Sequence, residues 1–205
     1  MNELNRKFVH ISVLLFVILA QFTGRWVAAF YFLFIAAVFI IYSEHIRRER
    51  LRLRGLIRRI EKDFRKVALS LERKEAPLPF IGAFWLFFGC GAAFVILPMT
   101  VASAACAMVA VGDGLSTLVG RRWGRSKVVG SKSWEGTVAM FVACLFVGTF
   151  FVNPFVSVVG AITATVVELL PETGPLRKHK SIGVVDDNFL VPMAAGVLML
   201  VASVF

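Results

Sequence analysis

Residues 100–119 read TVASAACAMVAVGDGLSTLV, a stretch in which Asp113 is the sole charged side chain. About 20 mostly apolar residues are what an α-helix needs to cross roughly 30 Å of hydrocarbon. The stretch is therefore read as a transmembrane span. A carboxylate inside a span costs at least a few kcal/mol, so it is expected to face the bundle interior and act there. Three, four and seven positions after Asp113 come Ser116, Thr117 and Gly120, a polar stripe on one side of the helix.

Six further apolar runs flank this one, at 8–22, 26–42, 78–97, 136–152, 154–170 and 188–205. Of the 205 residues, 58% are hydrophobic and 18% charged, and the mean hydropathy is +0.78. Such a composition excludes a disordered chain, a collagen and a small disulfide scaffold, and it does not suit a cytosolic globule. Cys90, Cys106 and Cys144 all sit inside apolar runs and read as packing residues. The first run carries His10 and leads directly into a second span, which favours a mature helix over a signal peptide. The expected fold is an all-α integral membrane protein: one domain over 1–205, a polytopic bundle of about seven transmembrane helices.

All but one of the 23 Lys and Arg residues fall on the N-terminus and on segments 43–77, 120–135 and 171–187; Arg25 alone lies in the opposite connections. The positive-inside tendency then places the N-terminus in the cytoplasm and the C-terminus outside. Within 43–77, Leu53, Leu56, Ile57, Ile60, Phe64, Val67 and Leu71 recur every three to four residues beside an arginine cluster. This pattern predicts a basic amphipathic helix lying on anionic lipid headgroups, each basic residue contributing about 1 kcal/mol. Nucleic acid is not an expected partner.

With that topology the remaining carboxylates also occupy the cytoplasmic half. Glu168 lies in the last turn of the sixth span, Glu135 opens the fifth, and Asp186-Asp187-Asn188 open the seventh. The stretch from Gly112-Asp113-Gly114 through Gly120 and Gly124 to Gly130-Ser131-Lys132-Ser133-Trp134-Glu135-Gly136 is the richest in chemistry. Glycines let backbone N–H groups approach a phosphate, and Lys132 adds a point charge. It is not a Walker A loop, because Gly124 and Gly130 are too far apart and Ser131 precedes the lysine. Simpler uses stand beside these. Gly112 and Gly114 suit helix packing, Ser133 suits a helix cap, and Glu135 suits a helix dipole. Asp186, Asp187 and Asn188 suit either a cap or the hard-oxygen coordination of Mg²⁺. His10 shares a helix face with Arg6 and is either structural or functional.

Four blocks taken together resemble the polyprenol kinase family, which includes dolichol kinases, phytol kinases and CTP-dependent diacylglycerol kinases. They are Arg6-Lys7-Phe8-Val9-His10-Ile11, the Gly112 to Gly124 run, Lys132-Ser133-Trp134-Glu135-Gly136-Thr137, and Glu168 followed by Asp187-Asn188. The resemblance implies a membrane-embedded kinase that moves the γ-phosphate of CTP onto a lipid alcohol or diacylglycerol at the cytoplasmic leaflet. It assigns Asp113, Lys132, Glu168 and Asp187 to catalysis. It assigns Asp113, Glu168, Asp187 and Asn188 to a divalent ion such as Mg²⁺. Arg6, Lys7, His10, Gly112, Gly114, Gly120, Gly124, Gly130, Lys132, Ser133, Glu135 and Gly136 go to the nucleotide phosphates. Two alternatives remain open at this point, a phosphatidate cytidylyltransferase-like enzyme and an ion-coupled transporter. The acceptor alcohol and the oligomeric state are not readable from the residues.

Overall fold

The computed structural model describes residues 3–48, 80–170 and 186–205, with side chains at 9–45, 80–170 and 186–205. Residues 49–79, which hold most of the basic segment 43–77 and of the expected interfacial helix, lie outside the described residues, as does 171–185. Seven helices are present among those described: α1 (Glu3–Thr23), α2 (Arg25–Arg48), α3 (Ile81–Ile96), α4 (Met99–Trp123), α5 (Trp134–Gly148), α6 (Pro154–Leu169) and α7 (Asp187–Ala202). They match the seven apolar runs in order, with ends moved by a few residues. Between α4 and α5 stands a hairpin of two short antiparallel strands, β1 (Lys127–Val129) and β2 (Lys132–Ser133). It is an addition to the all-α expectation.

Local chemistry sets the reversals. Gly24 adopts φ +86°, a left-handed conformation that a side chain would strain, and so lets α1 turn straight into α2. Pro98 separates α3 from α4, since a proline there cannot extend the preceding helix. Asn153 caps α6 by accepting from the Val156 N–H at 2.9 Å, with Pro154 in the first turn.

The centre of the bundle is α4, which packs against α1, α3, α5, α6 and α7. Positions 101–110 of α4 are buried without interruption and are dominated by Ala, Ser, Cys and Val. Small residues let five neighbours approach one helix closely, which a leucine-rich helix would prevent. By contrast, α2 turns Trp26, Phe30, Phe34 and Ile41 outward. Arg25–His45 and Met99–Trp123 are each long and apolar enough to cross a membrane. The other helices are shorter and apolar.

Because successive helices reverse direction, the start of α1, the end of α4, the start of α5, the end of α6 and the start of α7 share one end of the bundle. Polar contacts confirm the register there: the Asn188 side-chain amide donates to Gly82 O at 3.3 Å, tying α7 to α3. At the other end Gln21 donates to Ser103 Oγ at 2.9 Å, tying α1 to α4. Arg25 donates to Phe94 O at 2.8 Å and also to Val95 O, satisfying terminal carbonyls of α3.

Candidate active site

The site is built on the connection between α4 and α5. The segment 120–135, expected as a loop, divides into the last turn of α4, the hairpin and the first residues of α5. Gly130 sits at φ +55° in the hairpin turn, where a residue with Cβ would be strained. Ser133 caps α5, its hydroxyl accepting from the Gly136 N–H at 3.2 Å. Glu135 reaches back and accepts from the Arg125 N–H at 3.0 Å. Its own N–H and those of Arg125 and Ser126 hold the Glu135 carboxyl below the usual glutamate range. Ser133 and Glu135 thereby fasten the hairpin to the helix start, and the hairpin delivers Lys132.

The glycines of the motif separate by environment. A Cβ on Gly136 would stand 2.7 Å from Ser116 O, and one on Gly112 would stand 2.7 Å from Cys144 Sγ. Cβ atoms on Gly120 and Gly124 would come to 3.0 and 2.7 Å from Ser133 Oγ. At Gly124 and Gly136 an added Cβ would collide with backbone, and at Gly112 and Gly120 it would press on the Cys144 and Ser133 side chains, so α4 meets α5 and the hairpin closely at all four positions. Gly114 differs, because nothing lies within 4 Å of where its Cβ would be.

Against this seam the ionisable residues gather. Asp113, Glu168 and Asp187 are all buried, from α4, α6 and α7. The Lys132 ammonium donates to Glu168 Oε1 as an ion pair, with Glu168 only 5% exposed. His10 of α1 places Nε2 3.4 Å from Asp113 Oδ2, and Thr117 donates to Asp113 Oδ1 at 3.4 Å. The charges of Glu168, Asp187 and Asp113 all reach Lys132. Burial pulls the lysine's pKa down, but the three carboxylates outweigh it and hold the ammonium above its ordinary range.

Other expected site residues have different placements. Asp186 is the cap of α7, accepting from the Asn188 N–H at 2.9 Å, while Asp187 turns inward. Arg6 and Lys7 lie in α1 one turn before His10, with side chains outside those described. The contact between His10 and Asp113 is not legible from helix periodicity, since it joins residues of two helices far apart in the chain. The hairpin had a faint signal, Val128-Val129 before Gly130-Ser131, a β-branched pair leading into turn residues.

Three buried carboxyl groups around one ammonium are hard oxygen donors, and their chemistry fits a divalent cation such as Mg²⁺. Their present spacing does not grip one: among the described residues no three His, Cys, Asp or Glu side chains converge closely enough. Lys132 holds the position beside Glu168.

No family model matches the chain, and no solved structure matches it. Curated relatives do. The chain is 34% identical over 112 residues to probable phytol kinase 2, chloroplastic, of Glycine max, covering 46% of this chain and 34% of that protein. It is 36% identical over 97 residues to the phytol kinase of Synechocystis sp., covering 44% and 40% respectively. Against phytol kinase 1, chloroplastic, of Arabidopsis thaliana it is 28% identical over 216 residues, covering 94% of this chain and 64% of that one. The matched region thus spans about a third of the soybean protein's length and less than two thirds of either of the others. These similarities tie the chain to the phytol kinases and bear out the resemblance to the polyprenol kinase family that its motifs carry.

Proposed function

We propose that this chain is a membrane-embedded kinase transferring the γ-phosphate of CTP to the hydroxyl of a phytol-type isoprenoid alcohol at the cytoplasmic leaflet. The observation that carries the reading is the convergence of Asp113, Lys132, Glu168 and Asp187 at one buried end of an apolar bundle. Relatives named phytol kinases favour a lipid alcohol as acceptor. The choice of CTP follows the family resemblance. A bundle whose outer surface carries exposed Phe, Leu, Ile and Val on every side supports placement in a bilayer. The distribution of basic residues supports a cytoplasmic N-terminus.

Phosphoryl transfer demands mainly positioning and neutralisation of charge. The lipid hydroxyl oxygen attacks the γ-phosphorus, the bond to the bridging oxygen breaks, and CDP departs with that electron pair. Asp113 accepts the hydroxyl proton, and His10 keeps its carboxylate aimed. Lys132 and the hairpin amides hold the phosphate oxygens, the ammonium leaving Glu168 for the nucleotide. Glu168 and Asp187, with Asp113 acting on the same lysine, would hold a divalent cation, which when bound offsets the phosphate charge, while the Asn188 amide is engaged with Gly82 O of α3.

The test is incubation of the purified chain with γ-labelled CTP or ATP and, separately, phytol, geranylgeraniol, dolichol and diacylglycerol. Label in the organic phase with CTP and an isoprenoid alcohol is the expected result, abolished by chelation of divalent ions. Label released as pyrophosphate in a parallel incubation with phosphatidate would indicate a cytidylyltransferase. No labelled lipid with any pair would remove the kinase reading.

A further inference from the structure

A second feature lies on the outer seam of α4 and α5. A groove of about 630 Å³ runs there, lined along its length by Val119, Val138 and Val142 and at its hairpin end by Ser126, Trp134 and Glu135. Its position on α5 follows from the helix period. Gly136, Met140 and Cys144 are buried, whereas Trp134, Val138 and Val142 form an exposed stripe at four-residue spacing. That stripe is about 12 Å long. Neither Asp113, Lys132, Glu168 nor Asp187 lines the groove.

The hairpin end of this apolar trough is cationic. Arg125 and Lys127 flank the lining residue Ser126 in the chain and are exposed, as is Arg122, which lies 5.7 Å from the ring centroid of the exposed Trp123. Among the described residues that line the groove Glu135 is the one carboxylate, and it accepts from the Arg125 N–H. An apolar channel along a helix that ends in tryptophans and several cations matches a molecule with a hydrocarbon chain and an anionic head. A neutral alcohol has no use for the cations, and one seated here would hold its hydroxyl away from the carboxylate cluster.

We propose that this groove binds an anionic phospholipid, its acyl chain along Val119, Val138 and Val142 and its phosphate over Arg125 and Lys127. The inference rests on the membrane placement of the bundle and is independent of the kinase chemistry.

Bilayer vesicles of phosphatidylcholine carrying a minor fraction of brominated lipid test it through quenching of Trp134 fluorescence, isolated by subtracting a Trp134→Phe variant. Brominated phosphatidylglycerol should half-quench Trp134 at about thirtyfold lower mole fraction than brominated phosphatidylcholine, the preference two basic side chains near a headgroup supply. The Arg125→Ala/Lys127→Ala variant should lose the preference. Its hairpin should stay intact, since Arg125 holds Glu135 through the backbone. Val142→Phe, which narrows the trough and leaves the cations, should lose it as well. Equal quenching by the two lipids in the unaltered protein would overturn the proposal. So would relief of the quenching by phytol, which would give the groove to the lipid alcohol. Absence of quenching by either lipid would instead show that Trp134 is not at a bilayer, and the membrane reading would fail with it.

Discussion

Lys132 and Glu168, 36 positions apart, form an ion pair that joins the hairpin to the end of α6. The carboxylate is buried, the ammonium is 23% exposed at its side chain, and Asp187 and Asp113 act on the same lysine. One cation therefore stands where several anionic groups converge.

Removing that cation alone should be costly. Lys132→Ala leaves Glu168 buried beside other carboxylates, and loss of one partner of a buried pair costs about 3 kcal/mol. A lowered thermal midpoint in detergent is the expected outcome. The double variant Lys132→Ala/Glu168→Gln should recover most of the midpoint while transferring no phosphate, which separates the structural from the chemical part of the pair. Recovery of activity in the double variant would remove both residues from the reaction.

Asp113→Asn keeps the shape and one acceptor oxygen, exchanging the other for an NH2 group, while removing the base. Turnover should fall by about 10²- to 10⁴-fold with the detergent midpoint nearly unchanged. His10→Gln should cost less, about ten- to a hundredfold, the usual worth of a hydrogen bond to a charged group. Full turnover in the Asp113→Asn variant would exclude Asp113 as the proton acceptor.

The glycines divide into a testable pair. Gly136→Ala drives a Cβ to 2.7 Å from the backbone Ser116 O and should destabilise the seam between α4 and α5. Gly114→Ala meets nothing within 4 Å and should stabilise α4 slightly, by about 0.5 to 1 kcal/mol. A Gly114→Ala protein with a normal midpoint and reduced turnover would locate a substrate group beside α4 at that point.

Two pH responses follow from the hairpin. The Glu135 carboxyl is held below its usual 4.5 by backbone N–H donors. Its contribution to hairpin order is thus complete above that value and lost as pH falls through the lowered folded value. Lys132 is held above its usual 10.5. The contribution of the lysine's positive charge is complete below 10.5 and is lost as pH rises through the raised folded value. Amide hydrogen exchange at Arg125 in acid, and thermal midpoints of Lys132→Ala against the parent in alkali, measure the two responses.

Helix number and order were legible because apolar runs of span length have few other uses, and reversals at Gly24, Pro98 and Asn153 announce themselves locally. The gathering of Asp113, Glu168 and Asp187 was legible as well, since alternating helices put the same end of each odd and even span together. The hairpin was not, because its strands hold three and two residues and carry almost no periodic signal.

What the sequence by itself determined is the helical class of the fold, the order of its helices and the end at which its charges meet, all consequences of hydrophobic run length and charge placement. Tertiary structure alone decided the partners: His10 with Asp113, Lys132 with Glu168, and Gly112, Gly120, Gly124 and Gly136 spent on the seam between α4 and α5. The physical reason is that helix periodicity specifies which way a side chain points on its own helix. Which neighbour it meets depends on the depth and rotation at which helices pack, and those are set by the small residues of α4 acting together.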